Sequence, residues 1–353
     1  MALELDDLRA AVAAGVLSEP QAARLIVLGQ SRAGQRAGMA LDDEPFELFR
    51  GFAEIFVSVG IVLLFSGIMV FAGILDTASL PAVAAALAWV FGIYFIRKRR
   101  MALPSIVLTI AYALGAGGML WLILDLQPER LPEGRGTLVL FCLMGLAGLA
   151  VWYRAFKVPF TMLLAGVMGA ALVYLLVDAV RPYNDLRGLE HLFDLRSGSG
   201  LAIATLIFGL IAFAAGLLFD MRDPHRLGRW SASGFWLHIL AAPALVNTIA
   251  LTAYNTGGLA GNLWLAVALV AVSVLALVID RRSFLTAGFG YVGVLVAWAI
   301  QAGDNAGSFA LLLLILGAFL TFMGTFWTQM RARLMRALPE FPGKRSLPPY
   351  TEF

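Results

Sequence analysis

Apolar residues are not spread along this chain but gathered into ten runs of about twenty between Phe52 and Trp327, with nearly every charge in the short gaps between them. The runs span approximately residues 52 to 75, 80 to 96, 104 to 124, 137 to 153, 159 to 177, 201 to 219, 231 to 253, 261 to 279, 284 to 300 and 309 to 327. At 1.5 Å per residue such lengths match a hydrocarbon core of about 30 Å. No run alternates with the period of a strand. The pattern predicts an all-α, polytopic transmembrane helical bundle, because a helix satisfies its backbone hydrogen bonds internally where no water can do so.

Composition agrees. The chain is 60% hydrophobic and 14% charged, whereas a soluble domain carries roughly a quarter charged residues. Residues 1 to 50 are mixed-charge and amphipathic, without a basic segment followed by a short apolar core, so the first span is expected to act as an uncleaved insertion signal. The single cysteine, Cys142, falls inside a span and reads as a small packing residue.

Lys and Arg in the connections give a direction. Alternate gaps carry Arg97-Lys98-Arg99-Arg100, Arg154 to Lys157, Arg222 with Arg226 and Arg229, and Arg281-Arg282. The opposite gaps hold only Arg130, Arg135, Arg181, Arg187 and Arg196. With both termini inside, 21 of the 26 basic residues lie on the cytoplasmic side and 5 outside, so the expected topology is N-in and C-in. The pI of 9.2 is this topology signal and gives no reason to expect a nucleic-acid partner.

The basic turns begin at 97, 154, 222 and 281. The middle of the chain therefore reads as four like-oriented helical hairpins between two framing spans. Tandem duplication would produce this, and so would the positive-inside rule acting on any antiparallel bundle. Glycines seven apart at Gly60 and Gly67, Gly209 and Gly216, and Gly317 and Gly324 lie along helix stripes, where close packing of neighbouring helices is the expected role.

Three segments follow. Residues 1-50 form a cytoplasmic N-terminal region, 51-327 the ten-span domain, and 328-353 a basic, Pro-rich cytoplasmic tail. Within the first, residues 5 to 30 read as a helical hairpin: Leu5, Leu8, Val12 and Val16 recur at helical spacing, Gly15 breaks the run, and Ser18 with Gln21 offers a capping box for a second helix. So short a hairpin cannot bury its apolar face alone, which makes membrane lipids or a cytoplasmic protein its expected partner. A joint at 31 to 38 and an acidic patch at Asp42, Asp43 and Glu44 come next. Phe46, Phe49, Phe52 and Phe56 then enter the first span beside Arg50 and Glu54, a pair four residues apart. In the tail, 329 to 336 is a basic amphipathic turn suited to anionic lipid, and Pro339, Pro342, Pro348 and Pro349 favour an extended, unstructured end.

The opening Leu-Arg-Ala-Ala-Val-Ala-Ala-Gly-Val-Leu-Ser-Glu-Pro-Gln-Ala-Ala, the Phe-Glu-Leu-Phe-Arg-Gly-Phe entry and the Pro-rich ending resemble bacterial predicted integral membrane proteins of domain of unknown function 2157. The likeness covers the N-terminal 75 residues best. It implies a bacterial inner-membrane protein and brings no activity, cofactor or site residue.

Candidate chemistry is sparse. Asp76, Asp125, Asp178, Asp220 and Asp280 end spans and read as caps or interfacial groups, with Asp178 three residues before Arg181. No carboxylate lies in mid-membrane, which disfavours a carrier driven through such a group. His191, His225 and His238 are separated by topology, and neither a metal site nor a cofactor is expected. The 178 to 201 connection, with Leu186, Leu189 and Phe193 at helical spacing, suggests a short helix on the outer surface. The seventh span is the candidate intramembrane polar site, with Trp236, His238, Pro243, Asn247, Thr248 and Thr252. His238 and Asn247 are nine residues apart, on roughly opposite faces of a straight helix. Two functions compete: a transporter or permease for a small or lipidic molecule, and a membrane scaffold or sensor that engages a cytoplasmic protein through its N-terminal hairpin. An intramembrane enzyme ranks third, because no Asp, His or Ser-Lys constellation is present.

The topology is directly testable. Alkaline phosphatase fused after residue 130 or 187 should be active, and after 100, 157 or 282 inactive. Activity at both sets of positions would contradict N-in and C-in.

Overall fold

The computed structural model describes residues 5–18, 21, 52–75, 80–126, 134–180, 190–198, 200–224, 228–284, 306–348 and 350, and every regular element among them is helical. The chain divides into two compact units, Met1–Glu44 and Pro45–Phe353.

In the first unit, α1 (Leu5–Ala13) buries Leu8 and ends where expected. Gly15 adopts φ +70°, and the Val16 N–H donates back to the Ala11 carbonyl at 2.9 Å. This left-handed closure satisfies carbonyls that the helix end would otherwise orphan. The Gln21 side-chain oxygen accepts from the Ser18 N–H at 2.9 Å, half of the anticipated capping box. The second helix of the hairpin, the joint and the acidic patch fall outside the described residues.

The second unit runs α2 (Phe52–Leu75), α3 (Leu80–Phe91) continued by a π-helical segment (Gly92–Lys98), α4 (Ala102–Ile123), α5 (Arg135–Phe156), α6 (Thr161–Val180), the short α7 (Glu190–Phe193), α8 (Gly200–Arg222), α9 (Arg229–Tyr254), α10 (Gly258–Ile279) and α11 (Ala306–Ala337). Eight of these helices, counting α3 with its π-helical extension, are long and apolar enough to cross a membrane. They coincide with the first eight expected spans, so this is a multi-pass helical membrane protein. The ninth span, apart from Phe284, lies outside the described residues. The tenth falls within α11, which continues ten residues further.

Helix packing follows the basic turns. The pairs α3 with α4, α5 with α6 and α8 with α9 are the most closely apposed, and each is joined across one such turn. Three of the four expected hairpins are therefore spatial units, and the fourth extends beyond the described residues. Three of the turns contain a charged residue held in left-handed conformation: Arg100 (φ 52°), Lys157 (φ 52°) and Asp280 (φ 55°). Such a conformation costs roughly 1 kcal/mol in a non-glycine residue, so charge at the membrane boundary is kept at some expense in backbone energy.

Two cores result. An aromatic core between α2 and α5 buries Trp152, Phe156 and Leu108, with Tyr112 stacked on Trp152 at 4.4 Å. The Trp152 indole N–H donates to Thr109 at 3.0 Å, so the buried ring leaves no polar atom stranded. The second core is built of Ala212, Ala241, Ala242, Ala244 and Val246, with Phe284, Met323 and Trp327. Small residues at this α8–α9 seam let the two backbones approach. A polar seam links the cores: Tyr153 to Ser233 at 3.0 Å and Tyr174 to Thr205 at 2.7 Å.

Three features bear on the sequence expectations. The glycine stripe of α8 packs as anticipated, since side chains at Gly209 and Gly216 would strike Leu245 and His238 of α9. Gly60, Gly67, Gly317 and Gly324 instead face open space among the described residues. The tail is not a free extended end, because Arg331 is buried and donates to the carbonyls of Leu277 (3.0 Å) and Pro348 (2.6 Å), while Lys344 reaches Leu338. Prolines prevent the tail from continuing the helix, and the buried guanidinium supplies donors that its carbonyls satisfy. Arg333 and Arg336 remain exposed on the opposite face.

Glu54 is the third. Its carboxylate is buried and accepts from the backbone N–H groups of Ala102 (3.2 Å) and Leu103 (3.1 Å). The N-cap residue Met101 supplies no side-chain bond, so α4 is capped by a carboxylate borrowed from α2, where charge and helix dipole agree. Arg50, the expected partner, lies outside the described residues. Glu54→Ala should destabilise the purified protein by about 1–3 kcal/mol in thermal unfolding, and Glu54→Gln by less. Equal stability of Glu54→Ala and wild type would remove the cap from this account.

Candidate functional site

The seventh span, α9, is the most enclosed of the eight: 56% of its most apolar stretch is buried, against 11% for α6. Two glycines bring it against α8. A side chain at Gly216 would sit 2.9 Å from the His238 ring, and one at Gly234 would sit 2.6 Å from Asp220 Oδ1 and 2.9 Å from the Gly216 carbonyl. In the space these glycines leave, three chemistry-bearing side chains meet.

His238 Nε2 lies 3.0 Å from Asp220 Oδ2. Arg281, in the turn after α10, donates from Nε to the same oxygen at 3.0 Å and from Nη2 to Oδ1, and its Nη2 also donates to the Ser231 carbonyl at 2.7 Å. The guanidinium therefore clasps the carboxylate with two donors, the strongest geometry available to an Arg–carboxylate pair. The side chains of His238, Asp220 and Arg281 are 0%, 2% and 9% exposed. Phe213 and Phe284 pack edge-on against the imidazole, each 5.7 Å away. Charge is balanced between Asp220 and Arg281, and the histidine adds a third polar contact without requiring a net charge of its own.

The other anticipated residues of α9 disperse. Trp236 packs edge-on against Phe160. Pro243 lies inside the helix, and Thr248, fully buried, donates to the Ala244 carbonyl at 2.6 Å. Asn247 is only partly buried, consistent with its place on a different face from His238. Thr252 serves the opposite end, where it accepts from the Leu195 N–H at 3.1 Å and so fastens α7 and the turn after it. Asn255 joins that fastening through Asp194, 2.8 Å away. Of the expected outer helix, Phe193 lies in the short α7, and Leu186 and Leu189 fall outside the described residues.

Sequence reasoning found His238 and missed its partners. Asp220 stood one residue beyond the sixth span and passed for a cap, and Arg281 passed for a topology signal. One signal was present: Asp220 follows Gly216 by four residues and shares its stripe, and a carboxylate on a packing stripe must find a partner. Asp178 likewise pairs with Arg135 across helices; Arg181, its expected neighbour, lies outside the described residues. Among the described residues no group of three His, Cys, Asp or Glu could hold a metal.

A different kind of site flanks α2. Between α2, α3 and α4 lies a cavity of about 380 Å³ lined by Val62, Phe65, Ser66, Met69, Ala84, Val107, Ile110, Ala111, Leu114 and Gly115. Its walls are almost wholly apolar. On the other side, between α2 and the π-helical end of α3, a crevice of about 540 Å³ is lined by Val57, Gly60, Ile61, Leu64, Val90, Phe91, Tyr94 and Phe95. Sequence gave no sign of either, because hydropathy reports that a helix is apolar and not which neighbour it leaves a gap against.

Eight apolar spans among the described residues define the class, a multi-pass helical membrane protein. No protein-family model matches the chain, and no curated protein or solved structure matches it.

The cluster predicts a specific mutational pattern. Arg281→Ala strands a buried carboxylate and should cost about 3–5 kcal/mol, and Asp220→Asn should also destabilise. The double variant Asp220→Leu/Arg281→Leu should be less destabilised than Arg281→Ala alone. Gly234→Ala should cost about 1–3 kcal/mol through overpacking. Thermal unfolding in detergent reads all four; additive losses in the double variant would show that the pair is not coupled.

Proposed function

We propose that this is a bacterial inner-membrane permease whose cargo is a lipidic or similarly apolar molecule that enters sideways from the bilayer. The observation that carries this reading is the apolar cavity between α2, α3 and α4. A cavity of several hundred Å³ with convergent apolar walls is what a hydrophobic ligand requires. Ser66 is its one hydroxyl, so the walls discriminate by shape and apolarity rather than by charge. The seventh-span cluster has a different role in this reading. A charge-compensated group with side chains no more than 9% exposed offers no passage for a polar solute, and it serves as the fixed frame against which α2 can move.

A second reading, a scaffold or sensor, draws support from the N-terminal residues. Met1–Glu44 forms a compact unit of its own, and Val16 is 74% exposed. Deleting residues 1 to 38 should then abolish capture of a cytoplasmic partner while leaving the membrane domain folded.

The permease reading is tested with purified protein and a photoactivatable fatty-acyl probe. Labelling should map to α2 and α4, and Ala111→Phe, which fills the cavity, should reduce it severalfold without lowering thermal stability. In proteoliposomes, a fluorescent lipid analogue should equilibrate between leaflets faster than in protein-free vesicles, and Ala111→Phe should remove the gain. Undiminished labelling in Ala111→Phe would place the ligand elsewhere, and absence of any gain in wild type would end the permease reading.

A further inference from the structure

At the basic end of α3 the helix widens into a π-helical segment, Gly92–Lys98. Such segments are rare and recur at functional positions. Here the change of winding has a packing cause on one side, where a side chain at Gly92 would lie 2.8 Å from the Phe156 ring and Ile96 is buried. On the other side it turns Tyr94 and Phe95 toward α2, where they form part of the crevice wall.

The crevice has one polar feature and one charged lip. Tyr94 is 45% exposed, and its hydroxyl accepts from Arg99 Nε at 3.3 Å while the guanidinium lies 5.8 Å from the ring centroid. Lys98 and Arg99 are exposed. Arg97 is committed elsewhere, donating twice to the Ala155 carbonyl at 3.1 and 2.9 Å. The nearby carboxylate Glu54 is consumed by the N-terminus of α4. The lip is therefore cationic, and the floor from Val57 to Leu64 is apolar. Seven residues of helix between those positions give a depth of about 10 Å, which fits within one leaflet of a core about 30 Å thick. A side chain at Gly60 would meet nothing within 4 Å, so the glycine leaves the middle of the floor open.

We propose that this crevice binds one anionic phospholipid, with an acyl chain along α2 between Val57 and Leu64 and the phosphate at the lip formed by Arg99, Lys98 and the Tyr94 hydroxyl. Charge complementarity selects the anionic headgroup. The positive-inside rule accounts for basic residues in this turn, but not for a guanidinium drawn back over a tyrosine at the mouth of an apolar crevice. The phosphate replaces the tyrosine hydroxyl as the stronger acceptor for Arg99, and the apolar floor holds the chain.

Native mass spectrometry of the full-length protein with phosphatidylglycerol or phosphatidylcholine tests this. Wild type should retain phosphatidylglycerol over phosphatidylcholine by at least about fivefold, as expected for two cationic contacts. Lys98→Gln/Arg99→Gln should abolish that preference. Gly60→Leu, which occupies the floor and leaves the topology signals intact, should reduce retention of both lipids. Equal retention of the two lipids by wild type would overturn the proposal, as would unchanged retention in Gly60→Leu. A disulfide formed between Leu64→Cys and a cysteine placed within 285 to 300 would also overturn it, because the crevice would then be covered by protein.

Discussion

In hydrocarbon, every polar group must find its partner inside the protein, and that constraint organises this fold. Backbone groups meet it by forming helices, and the few charged side chains meet it by drawing helices together. Asp220 is the clearest case. Its carboxylate is held by Arg281 and His238 from two different elements, so one buried charge fixes α8, α9 and the turn after α10 at a single point. The glycines at 216 and 234 exist to make that point reachable. Without the pair, the close α8–α9 seam would enclose an unpaired charge, whose desolvation outweighs what local packing returns.

The same rule explains the contrast between the two halves. Around α9, alanines, the ion pair and the docked Arg331 leave a dense core in which the tail participates. Around α2 the charged tie among the described residues is Glu54 at the start of α4, and apart from Ser58 and Ser66 the rest of the helix is apolar. An all-apolar helix in lipid gains little from protein contact over lipid contact. Spaces flank α2 on two sides.

How much of this was legible in the sequence depended on whether the signal was local. Span positions were legible because hydropathy is a property of a continuous window, and α2 to α6 and α8 to α10 lie where the apolar runs put them. His238 was legible as a costly residue within such a run. Asp220 and Arg281 were not, because both stand at span ends, where charge is cheap and carries topological meaning. Their burial depends on α8 and α9 crossing closely, a long-range fact foreshadowed only by the shared stripe of Gly209, Gly216 and Asp220. Glu54 was legible as a charge at the entry of the first span but not as a cap in trans. The folded tail was hidden because prolines forbid a helix without forbidding a docked irregular segment, and it is Arg331, seventeen residues before Pro348, that holds it.

The central claim is that an apolar molecule occupies the space between α2, α3 and α4. A high-resolution cryo-EM map of the protein in native-lipid nanodiscs tests it most directly. The account predicts elongated density of acyl-chain width among Phe65, Met69, Ala84, Ala111 and Leu114. Protein side chains filling that space, whether from residues 285 to 305 or from closure of α2 onto α4, would contradict it.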